Sequence, residues 1–314
     1  HRTSPPTVAL HARWRTEWPA SGPPMRILAI PDGWLWCARL PAGEMRVMAF
    51  VDAERLTADR IEVGSVFREL VTSAPGMTSA LETMPRTAKV QACDASSYRL
   101  EEVMTLDAIR VGEAAFGIDP LSSSGVQAAI QTGLAGAAAV NCLLSSEGDT
   151  SAGLEYYTEQ VRSSSTFHAR TAGRLYGENC RHADRPFWRR RALLDEQPRH
   201  RERPVAVGEL LPYRVRLRRP AELRETACRV GERIERRLAL HSPELDRPVA
   251  FLAGAWIAPL LTELAAAPSL AEARRRWERS MPSERAGQIL CWLVERGMLE
   301  PVDSLPAGNV GRSS

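Results

Sequence analysis

Lysine is almost missing from this chain: Lys89 stands alone, and the rest of the 41 basic residues are arginine. Acidic residues number 38, so the net charge is only +3 and selects no class of partner. No G-x-G occurs, so these residues hold no dinucleotide-binding fingerprint. The six cysteines (Cys37, Cys93, Cys142, Cys180, Cys228, Cys291) form no C-x-x-C and no paired spacing. Free thiols in a reducing cytoplasm are the simplest reading, which places the protein there. The six histidines form no H-x-x-x-H, so no metal site is expected. No run of 18 apolar residues is present, so no transmembrane helix is expected, and the first residues have no signal-peptide core. What remains is ordinary for a globular protein: 44% apolar and 25% charged residues over a length that allows two or three domains.

The most informative stretch is Leu106 to Asn141. Leu106, Ala108, Ile109 and Val111 form a short apolar run, read as a buried strand. Gly112 to Ser124 is rich in turn residues, with Pro120 and three consecutive serines. From Gly125 the apolar residues repeat at helical spacing, padded with alanine. A helix starting there leaves its first N–H groups without intrahelical partners, at the positive end of its dipole. Gly125 would let a ligand lie against that backbone. The join is therefore either an anion or carbonyl site or an ordinary strand–loop–helix with a serine cap.

The same residues carry a resemblance. V-G-E-A-A-x(4)-D-P-x(3)-S-G-V, from Val111 to Val126, resembles the second FAD motif of the flavoprotein monooxygenases and flavin-dependent tryptophan halogenases. The resemblance implies FAD as cofactor, with Gly112 and Glu113 at its ribityl chain. It places Pro120, Ser123, Ser124, Gly125 and Val126 at the flavin ring. Glu113 stands where the family has Asp, keeping the charge and adding a methylene. Within the family, D-P-L-S-S-x-G (Asp119 to Gly125) and D-A-S-S (Asp94 to Ser97) are similar to the partner flavoproteins of tryptophylquinone oxidases and of quinohemoprotein amine dehydrogenase. Those are thought to hydroxylate a tryptophan within a protein or peptide. Such an enzyme should open with a βαβ unit. Its fingerprint is absent and the chain starts without Met, so we expect the C-terminal part of a longer protein.

Upstream, Thr7–Trp18, Arg26–Ile30, Gly33–Leu40 and Met45–Val51 read as strands of an antiparallel meander. Trp34 and Trp36 lie two apart, hence on one face, as sheet packing or as an aromatic wall beside a substrate. The phrase D-G-W-L-W-C-A-R-L-P also resembles the family, but Ala38 and Arg39 replace the halogenases' I-P, which favours hydroxylation. Residues 65–73 and 77–84 read as short helices, and Lys89–Cys93 as a strand. Residues 151–194 read as mostly helical, ending in Y-G-E-N-C-R-H-A-D-R-P-F-W-R-R-R, again similar to the family. Arg185–Arg191 and Arg214–Arg219 are read as solvated or ion-paired rather than nucleic-acid-binding. Residues 221–240, 248–267, 269–279 and 283–296 are read as helices of a separate module resembling a winged helix.

The expected architecture is α/β (α+β): a flavoprotein monooxygenase-like fold with an antiparallel substrate-domain sheet, lacking its N-terminal βαβ unit, plus a C-terminal helical winged-helix-like module. The expected ranges are 1–105 for the sheet and linking helices, 106–197 for the FAD segment and long helices, 198–221 for a linker and 222–314 for the module. The expected function is FAD-dependent hydroxylation of an aromatic side chain, tryptophan in a peptide or protein precursor of a quinone cofactor. The partners are that polypeptide and an external flavin reductant, with no nucleic acid and no membrane. No residue is singled out as catalytic acid or base. The alternatives are a tryptophan halogenase, which needs a catalytic lysine, and a non-catalytic peptide-binding adaptor.

Overall fold

Alternation with period two decides the first third of the chain. In the computed structural model, which describes residues 1–16, 23–57, 62–85, 88–195 and 206–302, strands β1 (Thr7–Arg15), β2 (Met25–Ile30), β3 (Gly33–Leu40) and β4 (Glu44–Asp52) form the expected meander. The expected Thr7–Trp18 strand runs on at 17–18 into residues outside those described. Helices α1 (Val63–Thr72) and α2 (Thr78–Glu82) follow, then β5 (Gln91–Asp94), which completes an antiparallel sheet of order β2-β3-β4-β1-β5. Leu10, Trp14, Leu35, Cys37, Met45, Val47 and Val51 point to one face, where Phe67, Leu70 and Val71 of α1 cover them. Ala9, Trp34 and Phe50 point to the other.

Short strands β6 (Tyr98–Arg99) and β7 (Phe116–Gly117) pair, and α3 (Gly125–Leu144) starts where expected. Helices α4 (Thr150–Gly177) and α5 (Pro186–Ala192) complete the middle of the chain. The buried strand expected over 106–111 does not form. Met104 bridges Ile109 and Thr105 N–H donates to the Ala108 carbonyl, so the run folds back on itself as a tight turn. Asp107 and Arg110 interrupt its apolar residues, and Leu106 ends 70% exposed.

The chain divides into two compact units, residues 1–136 with 161–196 and residues 137–160 with 197–314. The second unit contains α6 (Val207–Leu210), β8 (Val215–Leu217), β9 (Glu222–Val230), β10 (Arg233–His241), β11 (Phe251–Leu252), β12 (Ala255–Trp256), α7 (Ile257–Ala266), α8 (Leu270–Trp277), α9 (Ser283–Glu295) and β13 (Leu299–Pro301). The helix expected over 221–240 is instead the hairpin β9–β10, in register from Val230↔Arg233 to Glu222↔His241. Glu222 with Arg224 and Glu235 with Arg237 pair two residues apart, which only a strand places on one face. The start of the 248–267 helix is also strand, and the expected 198–221 linker carries α6 and β8 beyond its residues 198–205, which lie outside those described. Leu240, Ile257, Leu261, Leu270, Trp277, Ile289, Leu290 and Leu293 are the core of this module. Ser269 caps α8 by accepting from Glu272 N–H at 3.2 Å.

Helix α3 is thin and apolar. By length and composition alone it could cross a membrane, and part of it is buried within the protein. Val126, Ile130 and Leu134 lie on one exposed stripe, 77%, 59% and 61% accessible.

Candidate functional site

A cavity of about 430 Å³ lies in the first unit, between the sheet and the loop that leads into α3. The sheet supplies Ala9, Trp34, Trp36, Met48 and Phe50; the loop supplies Glu113, Gly117, Ile118, Pro120 and Ser123. Period two put Trp34 and Trp36 on one face, and both line the cavity. Trp34 stacks on Phe50 with ring centres 3.9 Å apart and planes 12° from parallel. The pair is a flat, rigid aromatic wall. Cys93, Asp94, Ser96 and Tyr98 supply a polar rim.

The rim is acidic. Asp94 is held below the usual carboxylate range, first by the Ser96 hydroxyl and then by the Ser96 N–H, which donates at 2.8 Å. Tyr98 keeps its proton above the normal phenol range because it is partly desolvated and faces the charges of Glu113 and Asp94. Its hydroxyl donates to the Glu113 carbonyl at 2.5 Å, tying the rim to the loop. Gly117 is what permits this: a Cβ there would stand 2.5 Å from the Tyr98 ring.

The loop's shape comes from two left-handed residues, Gly112 (φ +57°) and Ser123 (φ +51°). Gly112 is buried against Ala129, and its N–H donates to Thr132 Oγ1 at 2.9 Å. Asp119 caps the single turn Pro120–Ser122 by accepting from Leu121 N–H at 2.9 Å. Ser124 Oγ donates back to the Ser122 carbonyl. At the start of α3, Gly125 and Val126 are exposed, and a Cβ on Gly125 would meet nothing within 4 Å. Of the seven residues that the resemblance places around a flavin, the structure brings Glu113, Pro120 and Ser123 into the cavity wall. Ser124, Gly125 and Val126 follow directly, and Gly112 lies beneath.

Asp119 and Tyr176 form a buried pair that sequence reading did not single out. Asp119 is 4% and Tyr176 1% exposed. The Tyr176 hydroxyl donates to the carboxylate, 3.1 Å from each oxygen, and accepts from Trp34 Nε1 at 3.1 Å. Burial raises the Asp119 carboxyl above its ordinary range despite the Leu121 and Tyr176 donors and the nearby Arg191. Burial, and then the Asp119 charge, push Tyr176 well above a normal phenol. The available signals were the D-P dipeptide and the tyrosine of Y-G-E-N, 57 residues apart, with nothing local to join them.

In the first arginine run Arg185 meets Asp32, Arg190 meets Asp52 and Glu54, and Arg191 meets Asp52, while Arg189 is exposed to solvent. Lys89 is exposed and does not line the cavity. Among the described residues, no cluster of three metal-ligating side chains occurs.

No protein-family model matches the sequence, and no curated protein does. Solved structures do match. One is a flavin-dependent halogenase, CmlS: 19% identity, TM-score 0.65, covering 95% of this chain and 64% of that one. With it come the sheet and helices expected of a flavoprotein monooxygenase-like fold, and the chain has that fold. A higher structural similarity is to QhpG, described as a peptidyl tryptophan dihydroxylase essential for tryptophylquinone cofactor biogenesis: 22% identity and TM-score 0.73 over 94% of this chain. The chain spans 64% of the length of each of these two proteins.

Proposed function

We propose that this chain is the ring-holding and substrate-holding part of an FAD-dependent monooxygenase. Its substrate is an aromatic side chain, a tryptophan carried in a peptide or protein precursor of a quinone cofactor. The observation that carries the reading is the shared cavity, where an aromatic wall faces the loop whose sequence resembles an FAD motif. Likeness of fold to a peptidyl tryptophan dihydroxylase supports it. The residues present fit the ring end of FAD: the start of α3 is solvent-open at Gly125, and its first N–H groups have no intrahelical acceptor. They would donate to the pyrimidine carbonyls beside Pro120, Ser123, Ser124 and Val126, while Glu113 would accept from ribityl hydroxyls. Gly112, with its N–H already engaged, would shape the loop from below.

FAD, when bound and reduced by an external partner, supplies the activation of O₂ and the oxygen delivered to the substrate ring. The protein's own part is orientation and exclusion of water. Trp34, stacked on Phe50, and Trp36 with Met48 would clamp an indole face to face. Asp94, kept ionised by Ser96, would accept the indole N–H. Tyr98 keeps its proton and fixes the rim. The second unit's module would hold the polypeptide that carries the tryptophan, since a second contact raises the effective concentration of that side chain at the cavity.

Flavin identity tests the reading. The intact protein, purified and denatured, should release FAD and not FMN; a colourless preparation of it that also takes up no added FAD would remove the reading. The likeness to a halogenase keeps one alternative in view. A tryptophan-containing peptide turned over with reduced FAD, O₂ and chloride should gain the mass of oxygen, whereas a gain of chlorine would select the halogenase. Peptide binding with no flavin at all would point to an adaptor.

A further inference from the structure

We propose that Tyr176 is a positioning residue of this site, a latch that sets the distance between the two walls of the cavity. It rests on the reading that the cavity holds a substrate ring beside a flavin. Tyr176 does not line the cavity. Its hydroxyl nevertheless joins one residue of each wall's support, accepting from the Trp34 indole at 3.1 Å and donating to Asp119 at 3.1 Å. Trp34 is the sheet wall itself. Asp119 caps the turn Pro120–Ser122, and Pro120 and Ser123 are the opposite wall. The link is short, fully buried and held from behind: Phe187 and Trp188 meet the Tyr176 ring edge-on at 5.9 and 5.7 Å. Arg191, wholly buried, lies 5.8 Å from the same ring. A hydroxyl that both accepts and donates inside a dry cluster leaves little freedom to either neighbour. Loss of it would unpair the Trp34 N–H and leave the Asp119 carboxylate with the Leu121 N–H as its remaining described donor.

The test compares the intact wild-type protein with its Tyr176→Phe variant, which removes the hydroxyl and keeps the ring. Trp14→Phe is the control, because Trp14 packs on the other face of the sheet and donates to the Ala80 carbonyl. Two quantities are read: the near-ultraviolet circular dichroism of the indoles, and the Kd for added FAD from quenching of flavin fluorescence. Tyr176→Phe should alter the indole band and raise the Kd by about tenfold. Trp14→Phe should lower the melting temperature and leave the Kd unchanged. Asp119→Asn keeps an oxygen that can accept from Leu121 and Tyr176, so it should hold the Kd within about threefold of wild type, and Asp119→Ala should not. A Tyr176→Phe protein with a wild-type indole band, or with wild-type FAD affinity, overturns the latch. If the wild type itself takes up no FAD, the functional reading falls and the dichroism alone decides for or against the latch. Should Tyr176→Phe fail to fold, Trp34→Phe removes the donor at the other end and must show the same loss of FAD affinity.

Discussion

Asp119 is a carboxylate that the fold keeps from water, and its titration has a sign. Its folded value is raised by burial, so the folded state binds its proton more tightly than the unfolded chain does. Its contribution to stability is therefore full below the unfolded value of about 3.9 and is lost as pH rises through the raised folded value. Asp119→Asn removes that loss. Measured by urea midpoint, the variant should gain on the wild type as pH rises from 4 towards neutrality, and a pH-independent difference would contradict this. Ser123 stands at φ +51°, where an L-residue is strained. Ser123→Gly should stabilise the chain by about 1 kcal/mol in a denaturant titration. Gly125 behaves otherwise. It is not in the left-handed region, and its Cβ position is empty, so Gly125→Val should leave the unfolding midpoint within about 0.5 kcal/mol. The same valine would stand against the backbone that we assign to the flavin ring, so FAD affinity should fall sharply.

Strand β3 supplies Trp34 and Trp36 to the cavity and helix α5 backs Tyr176 behind it, and they differed in how readable they were. Trp34 and Trp36 advertise one face of β3 by spacing alone, and the Pro-Asp-Gly and Pro-Ala-Gly breaks bracket the strand, so the meander was evident from sequence. The start of α3 was equally evident, since serine, glycine and an alanine-rich periodic run coincide. Hairpin β9–β10 was not. Its charged residues also fit a helical surface, and the deciding signal, Gly231-Glu232 between paired strands, is only two residues long. Nor could any local pattern place α5. It is tied to the sheet by Trp188 Nε1 donating to the Ile30 carbonyl at 2.9 Å, and by Arg191 donating to Asp52 at 2.8 Å and Thr7 Oγ1 at 2.7 Å. Arg191 is wholly buried, so Arg191→Met leaves Asp52 to Arg190 and should cost about 3 kcal/mol by chemical denaturation. A loss below about 1 kcal/mol would show that the buried guanidinium adds little net stability once Arg190 holds Asp52.

At the scale of the whole molecule, Val126, Ile130 and Leu134 form an apolar stripe on α3 that is exposed in this chain. Three large apolar side chains on one helix face attract other apolar surfaces. Replacing Ile130 and Leu134 with Gln should reduce binding of a hydrophobic dye and concentration-dependent association, with little change in melting temperature. The latch has a different consequence, one of timing. Trp34 waits 142 residues for Tyr176, Ile30 waits 158 for Trp188, and Thr7 waits 184 for Arg191. A chain emerging from the ribosome at about 5–20 residues per second makes the sheet many seconds before its partners on α4 and α5 exist. Through that interval the aromatic face that will become the cavity wall lacks Tyr176, Phe187 and Trp188, the later residues that bury it in the finished fold.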